Sequence, residues 1–215
     1  MRKRVPAGPS DLGTRAQILN VAASMFRKQG YAAVSLRSIA HEAGLTTGSL
    51  YYYFSSKEEI VSEVLRAGPM YVLNKVRSSV ERLGPTATPV EILKAAILAH
   101  IESVIGENSF PAANIRIHAH VPREIRKSTS AVRMDYENYW IKLLASCGLQ
   151  EMSNDDFDPT LLAFFLFGAM NWTLEWYRPG RYNVDTIAET LARLVVERQP
   201  LDKAIVPSMF NPSGT

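Results

Sequence analysis

The sequence predicts an all-α protein of about nine helices, a small three-helix N-terminal head joined to a larger helical body. Three observations carry this. Apolar residues recur at three- and four-residue spacing in nearly every segment, the segments break at Gly, Pro or a capping Ser, Thr or Asp, and no convincing period-2 strand or internal repeat occurs. With 215 residues, 47% of them hydrophobic and 21% charged, the chain has enough apolar length for a core and is neither disordered nor low-complexity in composition.

Each element has its own warrant. Ile18, Ala22, Met25 and Phe26 share one face of a helix over Arg15–Gln29, which Gly30 ends. Ser35 is a good N-cap for a short second helix with inner residues Leu36, Ile39, Ala40 and Ala43, closed by Gly44. Thr46 caps a third over Thr47–Phe54. Ser55-Ser56-Lys57-Glu58-Glu59 contains two overlapping Ser-x-x-Glu boxes and opens a long helix toward Leu83, with a kink expected at Pro69. After the break at residues 84–89, Thr88-Pro89 starts a helix faced by Ile92, Ala96, Ile97, Ile101, Val104 and Ile105. A short helix is expected over Asn108–His120 and a longer one over Arg123–Cys147, stopped by Gly148. Asp158-Pro159 opens a strongly apolar helix to Tyr177 that Pro179-Gly180 ends, and a last amphipathic helix covers Val184–Arg198.

Composition narrows the function. A lone Cys147 excludes an intramolecular disulfide framework and a CxxC metal site and fits a reducing cytoplasm. The longest apolar run, Leu161–Met170, is far short of the roughly 20 residues that span a bilayer, and no apolar stretch follows the basic Met1-Arg2-Lys3-Arg4 to make a signal peptide. Neither a membrane partner nor a cofactor is expected. The net charge of +3 conceals an asymmetry. Residues 1–57 hold eight basic side chains against Asp11 and Glu42, a net +6, whereas residues 58–215 hold sixteen basic and nineteen acidic, a net −3. One end is therefore suited to a polyanion.

The second and third helices, separated by Ala43-Gly44-Leu45-Thr46, make a helix-turn-helix candidate. Ala40 is small where helices approach, Gly44 permits the turn's positive φ, and Leu45 packs the turn onto Leu36, Ile39 and Phe26. The third helix carries Thr46, Thr47, Gly48, Ser49, Tyr51, Tyr52 and Tyr53, whose hydroxyls, missing side chain and aromatic edges suit phosphates and base edges in a major groove. An ordinary helical hairpin with a surface tyrosine cluster is the alternative.

From Ser35 to Ile60, and more loosely over Arg15–Leu65, the chain resembles the TetR family of transcriptional regulators, including the Phe26–Gly30–Tyr31 end of the first helix; Tyr53 departs from the histidine the family often has there. The resemblance implies that Ser35 and Arg37 reach the phosphate backbone, with Arg37 extending toward a base. Thr46, Thr47 and Gly48 face the groove, Tyr51 and Tyr52 meet phosphates and thymine methyls, and Lys57 adds a phosphate contact at a helix N-terminus. It also implies a domain order: a flexible basic arm over 1–13, the DNA-binding domain over 14–57, a ligand-binding and dimerisation domain over 58–200, and a tail over 201–215.

In the body, the helix at 161–170 is apolar nearly all round, as in a central core helix or in the paired last two helices of a TetR-type homodimer; Phe164, Phe167, Gly168, Leu191, Leu194 and Val195 are interface candidates. The ligand-pocket candidates are His100, Asn114, Arg116, His118, Trp140, Asn171, Trp172, Trp176, Tyr177 and Arg178. His118-Ala-His120 does not read as a metal site, because helical residues two apart diverge. The string Asn171–Gly180 resembles the subset of TetR regulators that govern lipid, sterol or aromatic-acid catabolism, several of which sense acyl-coenzyme A thioesters. The expected function is a ligand-responsive, homodimeric repressor on a palindromic double-stranded operator, released by a small hydrophobic or acyl-CoA effector. The alternatives are an activator of the same family, or a helical acyl-thioester-binding protein or enzyme without DNA binding; no paired carboxylates, nucleophile elbow or P-loop supports an enzyme.

Overall fold

The computed structural model describes residues 9–149 and 158–197. The basic arm residues Arg2, Lys3 and Arg4 and the 201–215 tail lie outside the described residues. Among those described, the helices are α1 (Pro9–Ala33), α2 (Leu36–Glu42), α3 (Thr47–Tyr53), α4 (Lys57–Glu81), α5 (Pro89–Ile105), α6 (Ser109–Ile117), α7 (Arg123–Leu144), α8 (Pro159–Trp176) and α9 (Val184–Val196), and no strand occurs. No helix among them is long and apolar enough to cross a membrane.

Side-chain caps set most of the starts. Ser35, Thr46, Ser56, Thr88, Asp158 and Asn183 each accept a backbone N–H from the first turn of the helix they precede. Of the two overlapping boxes, Ser56 caps α4, while the Glu59 carboxylate accepts from Ser55. Two boundaries differ from expectation. α1 begins at Pro9, in a polar stretch with no apolar period to announce it; at its other end Gly30, at φ 79°, breaks the right-handed run, and hydrogen-bonded turns resume to Ala33. α7 ends in one wide turn, Ala145–Leu149, that Gly148 closes at φ 76°.

Two apolar clusters organise the molecule. The first gathers Ile18, Phe26, Ile39, Leu50 and Phe54 of the head with Ile60–Leu65 of α4 and with Ala113 and Ile117 of α6. The second joins Val72, Leu73 and Val76 of α4 to α5, α7, α8 and α9. α4 thus serves both, and Gly68-Pro69 falls between its two stretches.

The helix runs continuously through that proline. Pro69 has no N–H for the carbonyl of Leu65 four residues back, and Asn114 Nδ2 of α6 donates to that oxygen instead, at 2.9 Å. Gly68 allows the approach: a Cβ there would lie 2.8 Å from the Phe110 carbonyl oxygen and 2.9 Å from Asn114 Cβ. α4 and α6 are therefore locked at the proline by one side chain and one absent side chain.

Candidate nucleic-acid interface and ligand cavity

The head is built as a turn held from behind. Gly44 adopts φ 69°, Leu45 N donates to Ala40 O at 2.8 Å, and Gln17 Nε2 of α1 donates to Ala43 O at 3.2 Å. Arg15 pairs with Glu63 of α4 and stacks its guanidinium 4.5 Å from the centre of the Phe54 ring, so α1 and α4 clamp the end of α3. The outward face carries Arg37, Gly48, Tyr51 and Tyr52, all exposed, the two tyrosines by 54% and 68%. Gly48 has no internal reason to be glycine. A Cβ there would meet only Thr46 Oγ1, at an ordinary 3.8 Å, and glycine inside a seven-residue helix costs about 1 kcal/mol against alanine.

Three of the anticipated contact residues also have internal duties. The Ser35 hydroxyl accepts from Ser38 N at 3.1 Å and the Thr46 hydroxyl from Ser49 N at 3.0 Å, so each holds the start of a helix. Lys57 donates to the Tyr31 carbonyl at 2.6 Å with its ammonium 4.0 Å from that ring's centre, and burial pushes its pKa down. Thr47 is half-buried.

In the body a cavity of about 220 Å³ opens between α4, α5, α6, α7 and α8. It brings together four of the anticipated ligand residues: His100, Asn114, His118 and Asn171. Its floor is a neutral relay. Asn171 Oδ1 can only accept, so His100 Nε2 donates to it at 3.0 Å, leaving Nδ1 to accept from the Tyr136 hydroxyl at 2.6 Å. Complete burial lowers the His100 pKa to about 4 despite the opposing Asn171 bond, so the imidazole is uncharged at neutral pH. Phe167 stacks on His100, with ring centres 6.2 Å apart and planes at 26°. The mouth is charged: Arg133 Nε donates to Glu137 at 2.7 Å, and Arg133 Nη1 lies 3.2 Å from His118 Nδ1. Burial, then the charges of Arg133 and Arg126, holds the His118 pKa down.

Other anticipated residues lie elsewhere. Trp140 is fully buried behind the cavity, its ring 5.9 Å from Phe167 and 6.3 Å from His100. Trp176 lines a separate apolar depression with Trp172 and Tyr182. Arg178 Nη1 donates to the neighbouring Tyr177 carbonyl at 2.7 Å, away from the cavity. Two interface candidates turn inward, Phe167 onto His100 and Val195 into the core at 7% exposure, whereas Phe164 and Leu194 are exposed. Tyr136 and Arg133 escaped the sequence reading; the apolar period of α7 marks Tyr136 as core, and nothing local marks Arg133.

The comparisons with known proteins agree with this architecture. Residues 18–64 match the family model "Bacterial regulatory proteins, tetR family", and residues 86–198 match "Tetracyclin repressor-like, C-terminal domain". The chain is 31% identical over 189 residues to the HTH-type transcriptional repressor KstR2 of Rhodococcus jostii (strain RHA1), covering 86% of this chain and 90% of the relative. It superposes on AibR in complex with isovaleryl coenzyme A and operator DNA at TM-score 0.72 and 26% identity, over 84% of this chain and 97% of that one. The ketosteroid transcriptional regulator KstR2 of Mycobacterium tuberculosis superposes at TM-score 0.67 and 25% identity, over 90% and 95%.

Proposed function

The chain belongs to the tetR family of bacterial regulatory proteins and is a DNA-binding transcriptional regulator, and from that premise we propose a homodimeric repressor released by a small hydrophobic or acyl-coenzyme A effector. The head, residues 14–57, would dock α3 in the major groove of a palindromic operator. Arg37, Gly48, Tyr51 and Tyr52 would make the contacts, Ser35 and Thr46 would support them as caps, Thr47 would flank them, and Lys57 would offer its remaining N–H groups to phosphate. The body would bind the effector around His100, Asn114, His118 and Asn171, and the exposed faces of α8 and α9 would pair two copies. Acting on DNA places this work in the cytoplasm.

The observation that carries the reading is that one cavity wall is the connecting helix itself. Pro69 and Val72 of α4 line it, and so does Asn114, the residue that bonds Leu65 across the proline. A ligand that draws the Asn114 amide toward itself leaves the Leu65 carbonyl without a donor and favours a different α4 path, which moves the head. A shift of that kind needs only differential affinity between two head spacings. The KstR2 relatives are repressors and AibR carries isovaleryl coenzyme A on operator DNA, which favours a thioester effector and repression here.

The test is selection of fragmented genomic DNA by the purified protein, followed by titration of the recovered fragment with isovaleryl- and octanoyl-coenzyme A. A retained inverted repeat that is released by a thioester supports the reading. Retention of duplex without sequence preference would sink the operator, and a selected repeat that no ligand releases would sink the effector.

A further inference from the structure

The His100 cavity is too small for a whole thioester cofactor conjugate: about 220 Å³ lies below the roughly 300–1,000 Å³ typical of sites that enclose small molecules. A second cavity of about 680 Å³ adjoins it, and Ile115 and Asn171 line both. The two differ in chemistry. The first is floored by neutral groups and aromatic rings; the second is lined by Arg27, Arg116 and His120, with Glu175 the one acidic side chain on its wall among the described residues. It also lies astride the two halves of the molecule, since Arg27 and Gly30 come from α1 of the head, Arg116 from α6 and Trp172 from α8.

We infer that the second cavity is the phosphate subsite of a bipartite effector, with the acyl chain against His100 and Phe167 and the phosphorylated nucleotide end of a coenzyme A thioester beside Arg116, His120 and Arg27. This inference rests on the effector reading above and adds where the anionic half sits. Asn171 is the junction: its Oδ1 accepts from His100 on the acyl side, and its side chain borders the basic cavity on the other. Arg116 and His120 are exposed and stand ready for a phosphate.

Arg27 gives the subsite a consequence. Its Nη1 donates to Gly106 O at 2.8 Å and its Nη2 reaches Ile105 O at 3.5 Å, so the guanidinium ties head helix α1 to the C-terminal end of α5. A phosphate next to it competes with those two carbonyls, and charge-assisted bonds to an anion outweigh bonds to neutral oxygens. The anionic half of the effector thereby loosens one head-to-body tie while the acyl half acts at Asn114.

Isothermal titration of the full chain separates the possibilities. Isovaleryl- and octanoyl-coenzyme A are compared with the corresponding acyl-pantetheines, which keep the thioester and lack the nucleotide and its phosphates. The expected result is binding of coenzyme A thioesters at least ten-fold tighter than pantetheine thioesters, with salt weakening only the former. The surface variant Arg116→Gln/His120→Gln then removes most of that difference while pantetheine thioesters bind as before. Equal affinity for the two ligand types, or a difference that survives the double substitution, overturns the phosphate subsite alone. Failure of every thioester to bind overturns the effector reading and this inference with it.

Discussion

His100 is the residue whose environment says most about the body. A histidine in an apolar shell with no carboxylate partner is stable only while neutral, and here its two nitrogens are satisfied by Tyr136 and Asn171 in one tautomer. Its folded-state pKa of about 4 lies below the unfolded 6.5, so the unfolded chain binds more protons between those values, and stability present above pH 6.5 is lost as pH falls toward 4. That predicts a loss of about 2 kcal/mol from His100 between pH 7 and pH 5. His100→Gln should flatten the dependence by that amount, read as the difference in urea midpoints at the two pH values; an unchanged slope would mean the imidazole is solvated. Gly48 makes the opposite kind of prediction. With open space around it and a helical backbone, Gly48→Ala should raise stability by about 0.5–1 kcal/mol yet weaken operator binding ten-fold or more. A variant gaining stability without losing DNA affinity, by thermal melt and anisotropy titration, would remove Gly48 from the interface.

At the scale of elements, the meeting of α4 and α6 is the joint on which the rest turns. Asn114→Ala leaves the Leu65 carbonyl with no donor in a buried setting, at a cost of about 1–3 kcal/mol. Adding Pro69→Ala restores an N–H at the position the helix ladder needs, and the double variant should recover a large part of the loss. Simple additivity of the two substitutions in chemical denaturation would show that the amide does not replace the missing donor. This joint also marks the limit of what the sequence discloses. Helix starts were legible because Ser35, Thr46, Thr88 and Asp158 are local signals acting within one turn. The role of Asn114 was not, because the carbonyl it serves is 49 positions away in the chain. Among the candidate ligand residues that line the cavity, His100 and Asn171 could be found as polar groups inside apolar periods. Trp140 has the same signature and is core, since periodicity reports that a side chain faces inward but not whether space remains beside it.

At the scale of the whole molecule, α8 has two apolar faces, and among the described residues one of them is covered. Ala163, Leu166, Met170 and Thr173 are buried, while Leu161, Phe164, Phe165, Trp172 and Trp176 stay 41–67% exposed along the opposite side, joined by Leu194 of α9 at 68%. Monomeric proteins seldom leave so continuous an apolar stripe in water. A second copy related by a two-fold axis would cover it, and the same axis would set two heads on half-sites one helical turn apart, roughly 34–36 Å or a multiple of it. Operator affinity then depends on a surface the DNA never touches. Phe165→Glu places a charge in the middle of the stripe, where burial without a partner costs several kcal/mol. The variant should run as a monomer in light scattering, keep its helical circular dichroism because Phe165 is 67% exposed, and bind the palindrome no better than a half-site. A dimer with undiminished preference for the full palindrome would move the interface off α8.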